Sequence, residues 1–214
     1  MSVVHVILKE WFVDKQTPRF VDYQKRFTDN PLLVKLEKQG NVWRPGRLLR
    51  ANTVSKYAAE DKGEWKFLMW DKNSSQPRMP MGFIGHRWQE QKGKWNLLLK
   101  DGVDGADLDP VLSMLENKDD VYQVGFDDFV QGNLQMRGVP VKFIQTSEGK
   151  VPVCTVFDLM LAQYGVDRGL GGAYPKDYDD AESPYTPAWQ EIRTGIGRTQ
   201  VQRFARDWAR TAEL

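Results

Sequence analysis

Apolar residues recur at helical spacing near both ends of the chain and alternate with polar ones in between. Val3, Val4, Ile7, Leu8, Trp11 and Phe12 predict a helix with one buried face, ending near Asp14, in which His5 is simply packed. Thr17-Pro18 supplies a capping residue and a proline at the first helical position. Phe20, Val21, Gln24 and Phe27 carry a second helix to Thr28-Asp29-Asn30-Pro31. Leu32 to Glu37 and Asn41 to Arg44 read as a hairpin around Gln39-Gly40. Glu64 to Trp70 alternates, with Trp65, Phe67 and Met69 on one face, and Lys72 to Gly82 reads as a loop. Lys94 to Lys100, Val111 to Leu115, Val121 to Phe126 and Val139 to Thr146 are further short strands, expected to pair antiparallel.

Beyond them Thr155, with Asp158 three residues on, caps a helix through Phe157, Leu161 and Tyr164 that Gly165 ends. A polar, Asp-rich loop covers Val166 to Pro184. Thr186 and Pro187 then repeat the cap-and-proline signal for a short helix through Trp189 and Ile192, stopped by Gly195. The last helix opens near Gly197, with Val201, Phe204, Ala205, Trp208 and Ala212 in one stripe. Burying its large side chains contributes on the order of 1.5–3 kcal/mol each. An isolated helix of this length is marginal in water, so the stripe calls for a partner surface. With two residues left after Ala212, that surface is sought outside the given sequence. The fold class expected is therefore α+β: a helical start (1–30), an antiparallel strand-rich, insertion-like middle (31–150), and a helical region (151–214) expected to continue into further sequence.

Composition narrows the chemistry. The 214 residues are 41% hydrophobic, enough for one core or two small ones. Lys plus Arg total 30 against 29 for Asp plus Glu, so no global field points to nucleic acid or a membrane surface. Cys154 is the only cysteine, which excludes an internal disulfide or a thiolate metal site built from this chain alone, and two histidines argue against zinc. Met1 to Trp11 has no basic lead-in, so a signal peptide is not expected, and no run reaches the roughly 18 apolar residues of a membrane span.

Several constellations have competing readings. Gly195-Ile196-Gly197 resembles half of a dinucleotide fingerprint, but Gln200 stands where its third glycine belongs and no strand precedes it, so a turn is preferred. Gly169-Leu170-Gly171-Gly172 has the wrong spacing as well. Asp101, Asp104, Asp107 and Asp109 miss the calcium-loop register and read as a solvated turn. Arg198, Arg203, Arg206 and Arg210 on the last helix admit a DNA-reading module, against which Asp207 pairs with Arg203. Arg87, Trp88, Lys92, Lys94 and Trp95 fit either a single-strand platform or a half-buried strand pair with extended lysines. His86-Arg87 combines a proton carrier with an anion clamp, without a metal or nucleophile beside it.

Four runs, FTDNPLLVKLE (27–37), GFIGHRWQEQKGKWNL (82–97), VPVCTVFDLMLAQYGVDRGL (151–170) and YTPAWQEIRTGIGRTQVQRFAR (185–206), in this order resemble the catalytic alpha subunit of respiratory nitrate reductases and the related nitrite oxidoreductases. The likeness extends over nearly the whole chain and corresponds to an internal portion of that subunit. It implies an enzyme interconverting nitrate and nitrite by oxygen-atom transfer, with a molybdenum bis-molybdopterin guanine dinucleotide cofactor and a 4Fe-4S cluster. It also implies partners, namely the rest of the alpha subunit, an iron–sulfur beta subunit and a membrane gamma subunit, and a peripheral place on the cytoplasmic side of the membrane. The family's cluster ligands have no counterpart here, and its molybdenum-ligating aspartate belongs to a segment before Met1. No catalytic, cofactor-binding or metal residue is therefore assigned in this chain, and the chain alone is expected to be inactive. Where the family carries a hydroxyl ahead of the last helix, Gly197 stands here while Gln200 remains, weakening that cap by a few tenths of a kcal/mol. The resemblance leaves open whether the parent reduces nitrate or oxidises nitrite, and whether His86 and Arg87 approach substrate. The rival expectation is a stand-alone interaction or nucleic-acid-binding module using the C-terminal helix pair.

Overall fold

A computed structural model of the chain describes residues 1–82, 98–127 and 134–213. Helix α1 (Ser2–Ile7) passes without a break into a π-helical stretch, Leu8–Asp14, and α2 covers Pro18–Phe27. Strands β1 (Leu33–Gln39) and β2 (Val42–Leu48) form the expected hairpin, turning at Gly40, whose φ of 61° suits a residue without a Cβ. Short strands β3 (Met69–Asp71) and β4 (Gln76–Arg78) pair with each other, as do β5 (Pro80–Met81) and β6 (Leu98–Asp101). Then come β7 (Asp120–Asp127), β8 (Leu134–Thr146), β9 (Gly149–Thr155), α3 (Val156–Gln163), α4 (Pro187–Thr194) and α5 (Arg198–Glu213).

Strands β1, β2, β7, β8 and β9 close into a five-stranded barrel. Its pairings are antiparallel except where β2 meets β7, a parallel contact at Trp43 and Val124, so the strand-rich middle is not uniformly antiparallel. Neighbouring residues on β1 and β9 are buried on opposite sides of the sheet. Val34 and Cys154 pack with Val124, Val139 and Leu159 of α3, while Leu33 and Val153 pack with Leu49, Leu68, Trp70 and Met114. Burial on both faces explains why these strands read as nearly continuous apolar runs. On its far side α3 offers Phe157 and Leu161 to Leu8 and Phe12 of the N-terminal helix, with the Phe12 and Phe157 rings edge to face at 4.6 Å. The connecting segment, barrel, α3 and the terminal helices thus stack in succession, and the N-terminal helix carries α5.

Three expectations fail in this region. Glu64 to Trp70 is not one strand: residues 63–65 form a 3₁₀ turn, Trp65 is 56% exposed beneath the Arg50 guanidinium, Phe67 makes an isolated bridge to Arg50, and a continuous strand begins only at Met69. The loop from Lys72 to Gly82 contains β4 and β5. Val111 to Leu115 forms no strand, because the Asp158 carboxylate takes the Met114 N–H at 2.8 Å and the Ser113 hydroxyl at 2.6 Å instead of leaving them to a neighbouring strand. Strand β9 went unread because Pro152 hides it, and it runs across position 150, where the helical region was expected to begin.

Candidate interaction surface

Sequence reasoning assigned no catalytic, cofactor or metal residue, and those of its singled-out features that fall among the described residues resolve into packing. His86, Arg87, Trp88, Lys92, Lys94 and Trp95 lie outside the described residues. Cys154 is wholly buried in the barrel wall, and burial, helped by the Asp158 charge, pushes its thiol well above the ordinary range, so it offers no thiolate. His5 is buried, and its Nδ1 donates to the Tyr164 carbonyl at 2.6 Å.

The four aspartates of the 101–109 turn do not converge on a cation. Asp101 is buried, accepting from Tyr57 Oη, from the Val103 N–H at 2.9 Å and from Lys56 and Arg78 at 3.3 Å. The other three pair outward, Asp104 with Lys56 and Arg78, Asp107 with Lys100, and Asp109 with Lys25. Among the described residues no three His, Cys, Asp or Glu side chains come together in a metal-holding group. Gly195 is the left-handed C-cap of α4, donating to Glu191 O at 2.8 Å, which makes Gly195-Ile196-Gly197 a turn. The glycines 169, 171 and 172 let their loop lie directly on β8, where the Gly138 N–H donates to Gly171 O at 2.8 Å.

What sequence reasoning missed is a set of charges, Arg137 buried and Glu10 with Arg206 half-buried, that fasten the last third of the chain. Arg137, fully buried on β8, donates from Nη1 to the carbonyls of Ala162 (3.0 Å) and Gln163 (2.8 Å), satisfying the C-terminal end of α3, and from Nε to Ala173 O at 2.8 Å. Glu10 of the N-terminal helix takes three hydrogen bonds from Arg206 of α5, at 2.8 to 3.1 Å, and one from Tyr178 Oη at 3.2 Å. Burial opposes the Glu10 charge, but the Arg206 hydrogen bonds and charge together outweigh it and hold the carboxyl below its usual range. No spacing rule reveals these pairs, since their members lie up to 196 positions apart.

The ion pair and the buried face of α5 together seat it on the N-terminal helix. Val201, Ala205 and Ala209 face inward, and the two alanines allow close approach. Phe204 and Trp208, expected in the same buried stripe, are 55% and 59% exposed instead, one helical turn apart with their rings 5.5 Å between centroids. On α2, Tyr23 and Phe27 repeat the arrangement, both more than half exposed and 5.1 Å apart. Between these helices lies an open groove of about 530 Å³, lined by Ile7, Trp11, Phe20, Tyr23, Trp208 and Ala212 among others. Trp11 Nε1 donates to the Glu213 carboxylate and Arg19 Nη1 to the Glu213 carbonyl at 2.7 Å, closing one end.

The cations of α5 are mostly turned to acidic neighbours. Arg198 bonds Glu191 at 2.5 Å and Asp179 at 2.9 Å, Arg206 bonds Glu10, and Arg203 lies 3.6 Å from Asp207. A helix reading nucleic acid would hold such groups free for phosphate. No helix among the described residues is long and apolar enough to cross a membrane.

No protein-family model matches the chain. It is 40% identical over 214 residues to the nitrate reductase alpha chain of Bacillus subtilis (strain 168) and 38% identical over 227 residues to the respiratory nitrate reductase 1 alpha chain of Escherichia coli (strain K12). Over 217 residues it is 41% identical to the nitrate reductase alpha subunit of Mycobacterium tuberculosis (strain ATCC 25618 / H37Rv). These alignments take in 99–100% of this chain and only 17–18% of each relative. The chain is thus similar, almost end to end, to one stretch of nitrate reductase alpha chains, and spans less than a fifth of their length.

Proposed function

We propose that these residues are a structural portion of the catalytic alpha subunit of a molybdenum-dependent nitrate reductase or nitrite oxidoreductase. The observation that carries this is the 34–41% identity to nitrate reductase alpha chains over 99–100% of the chain. On this reading the intact enzyme interconverts nitrate and nitrite by oxygen-atom transfer, using a molybdenum bis-molybdopterin guanine dinucleotide and a 4Fe-4S cluster. It acts with an iron–sulfur beta subunit and a membrane gamma subunit on the cytoplasmic side of the membrane.

The described residues do not fit either prosthetic group. Cys154 is sealed in the barrel wall with its thiol protonated, and His5 is committed to the Tyr164 carbonyl. We therefore assign the described residues no step of the chemistry. Its contribution is a rigid barrel that carries helices α1, α2 and α5 and the groove between them. Its ion pairs support such a role, since Glu10 with Arg206 ties one helix to another and buried Asp158 with Arg168 ties α3 to the loop after it, rather than presenting charge to a ligand.

The test is a replacement. The matching stretch of the Bacillus subtilis alpha chain is exchanged for residues 1–214 in the otherwise intact enzyme, and nitrate-dependent oxidation of reduced viologen is measured. Turnover within about tenfold of the parent, against none when the stretch is deleted, supports the proposal. A chimera that accumulates and assembles but turns over no faster than the deletion overturns it, as does nitrate reduction by the purified 214-residue chain. Salt-sensitive DNA binding, lost on replacing Arg203 and Arg206, would favour the rival module.

A further inference from the structure

We infer that the groove between α2 and α5 is the seat of a helix from another part of the same alpha chain, a helix whose apolar face lies between the two exposed aromatic pairs. The inference rests on the function proposed above and adds to it the place and chemistry of one internal contact.

Four observations carry it. The groove is lined by Tyr23 from α2 and by Trp208 from α5, and each has a second exposed aromatic one helical turn away on its own helix, Phe27 and Phe204. Exposed side chains spaced by one turn are the ridges against which a further helix packs. Within the groove, small side chains at Ala209 and Ala212 permit close approach, and about 530 Å³ of space takes several aliphatic side chains. Its closed end is rimmed by Arg19 and Glu213, so the occupant is apolar along its length and polar where it meets that rim. Finally, the aligned stretch is only 17–18% of the relatives' length, leaving most of an alpha chain to supply such a helix.

A second copy of these residues is a poorer occupant. Among the described residues, the large apolar side chains exposed away from the groove are Met1 ahead of α1, Trp65 and Val103 in turns, Ile192 on α4 and Ile196 in the turn after it, and no two of them lie one turn apart on a single helix to form a ridge. Contiguous aromatic surface of this kind on a folded domain marks a site of association.

The test places a photo-crosslinking phenylalanine analogue at position 208 of the chimeric alpha chain. Crosslinked peptides are identified by mass spectrometry, and nitrate turnover is read on the same sample. The expected crosslink joins position 208 to a peptide of the same polypeptide outside residues 1–214, with apolar residues at helical spacing. A crosslink to a second alpha chain, to another subunit, or to no protein overturns the inference. With turnover retained, that result sinks the groove assignment alone; loss of turnover in an assembled chimera sinks the parent reading instead. If the chimera fails to assemble, the same analogue at the aligned position of the Bacillus subtilis relative gives the same decision. Trp208→Glu in the chimera should lower the yield of assembled alpha chain at least about tenfold, whereas Trp65→Glu should not. Equal yields from the two also overturn the inference.

Discussion

Arg168 donates from Nη1 to Asp158 Oδ1 at 2.7 Å, with the two side chains 3% and 0% exposed. The same carboxylate accepts from the Ser113 hydroxyl at 2.6 Å, the Met114 N–H at 2.8 Å and the Thr155 hydroxyl at 2.9 Å. One side chain therefore joins the start of α3, the segment before β7 and the loop after α3. This explains how an irregular stretch from Val111 to Leu115 lies in the interior with its polar groups satisfied.

The two partners of that pair should not be equivalent. Asp158→Ala leaves Arg168 buried without its counter-charge and strips acceptors from three donors, which costs about 3–5 kcal/mol. Arg168→Met leaves a carboxylate still holding three hydrogen bonds and should cost less. The double variant Asp158→Ala/Arg168→Met should be less destabilised than the sum of the singles. Denaturant unfolding of the four proteins measures this, and additive losses would mean the pair is not coupled.

Two threonine caps identical in sequence are predicted to differ in strength. Both Thr17 and Thr186 precede a proline at the first helical position, but Thr17 makes no capping hydrogen bond from its side chain. Thr186 is fully buried; its Oγ1 accepts from Trp189 N at 3.0 Å and donates to Asp180 O at 2.6 Å. Thr186→Ala should cost about 1–2 kcal/mol and Thr17→Ala less than about 0.5. Comparable losses in thermal unfolding would show that the α2 cap forms in solution after all.

What the sequence made legible were features fixed by neighbours along the chain. The Thr155 cap accepting from Asp158 N at 2.9 Å, the Gly40 hairpin, and the Gly165 and Gly195 stops depend on a few adjacent residues and fall where their spacing puts them. Features set by distant partners were not legible. Strand β9 carries Pro152 yet pairs on both edges, because barrel closure outweighs local preference. Phe204 and Trp208 share a helical stripe with Val201, but packing on the distant N-terminal helix, with Glu10 bonding Arg206, turns Val201, Ala205 and Ala209 inward instead. The resemblance to nitrate reductase alpha chains was legible because it lies in the order of whole segments.

Acid should weaken the fold in two separate windows. Burial lowers the His5 pKa from its ordinary value of 6.5, against the Tyr164 hydrogen bond that raises it, and the charges of Lys9 and Arg137 lower it further. The unfolded chain then binds a proton at His5 that the folded chain refuses, so stability falls as pH drops below about 6.5 toward the lower folded value. Glu10, also lowered, contributes stability that is present above its ordinary 4.5 and is lost as pH falls toward its folded value. Between pH 7.5 and 5.5 the Tm should therefore decline, and His5→Gln should flatten that decline while leaving the loss below about pH 4.5 in place. An unchanged slope in His5→Gln would mean another group titrates there.

The contact between β8 and the loop after α3 predicts a contrast between two glycines. A Cβ on Gly138 would run into the Leu170 carbonyl oxygen and come within 2.7 Å of its carbon, both backbone atoms, while the Gly138 N–H is already bonded to Gly171 O at 2.8 Å. Neither partner can move without lifting the loop, so Gly138→Ala should cost about 1–3 kcal/mol or more. Gly105 has a left-handed φ of 71° but nothing within 4 Å of the added carbon, so Gly105→Ala should cost only the backbone preference, about 1–2 kcal/mol, and Gly105→Asn less. The two differ further in reach. The loop lifted by Gly138→Ala continues to Tyr178, whose hydroxyl donates to Glu10, the carboxylate that seats α5. Amide hydrogen exchange in α5 should therefore speed up in Gly138→Ala and not in Gly105→Ala. Equal exchange in both would mean that α5 is held by Arg206 and its apolar face alone.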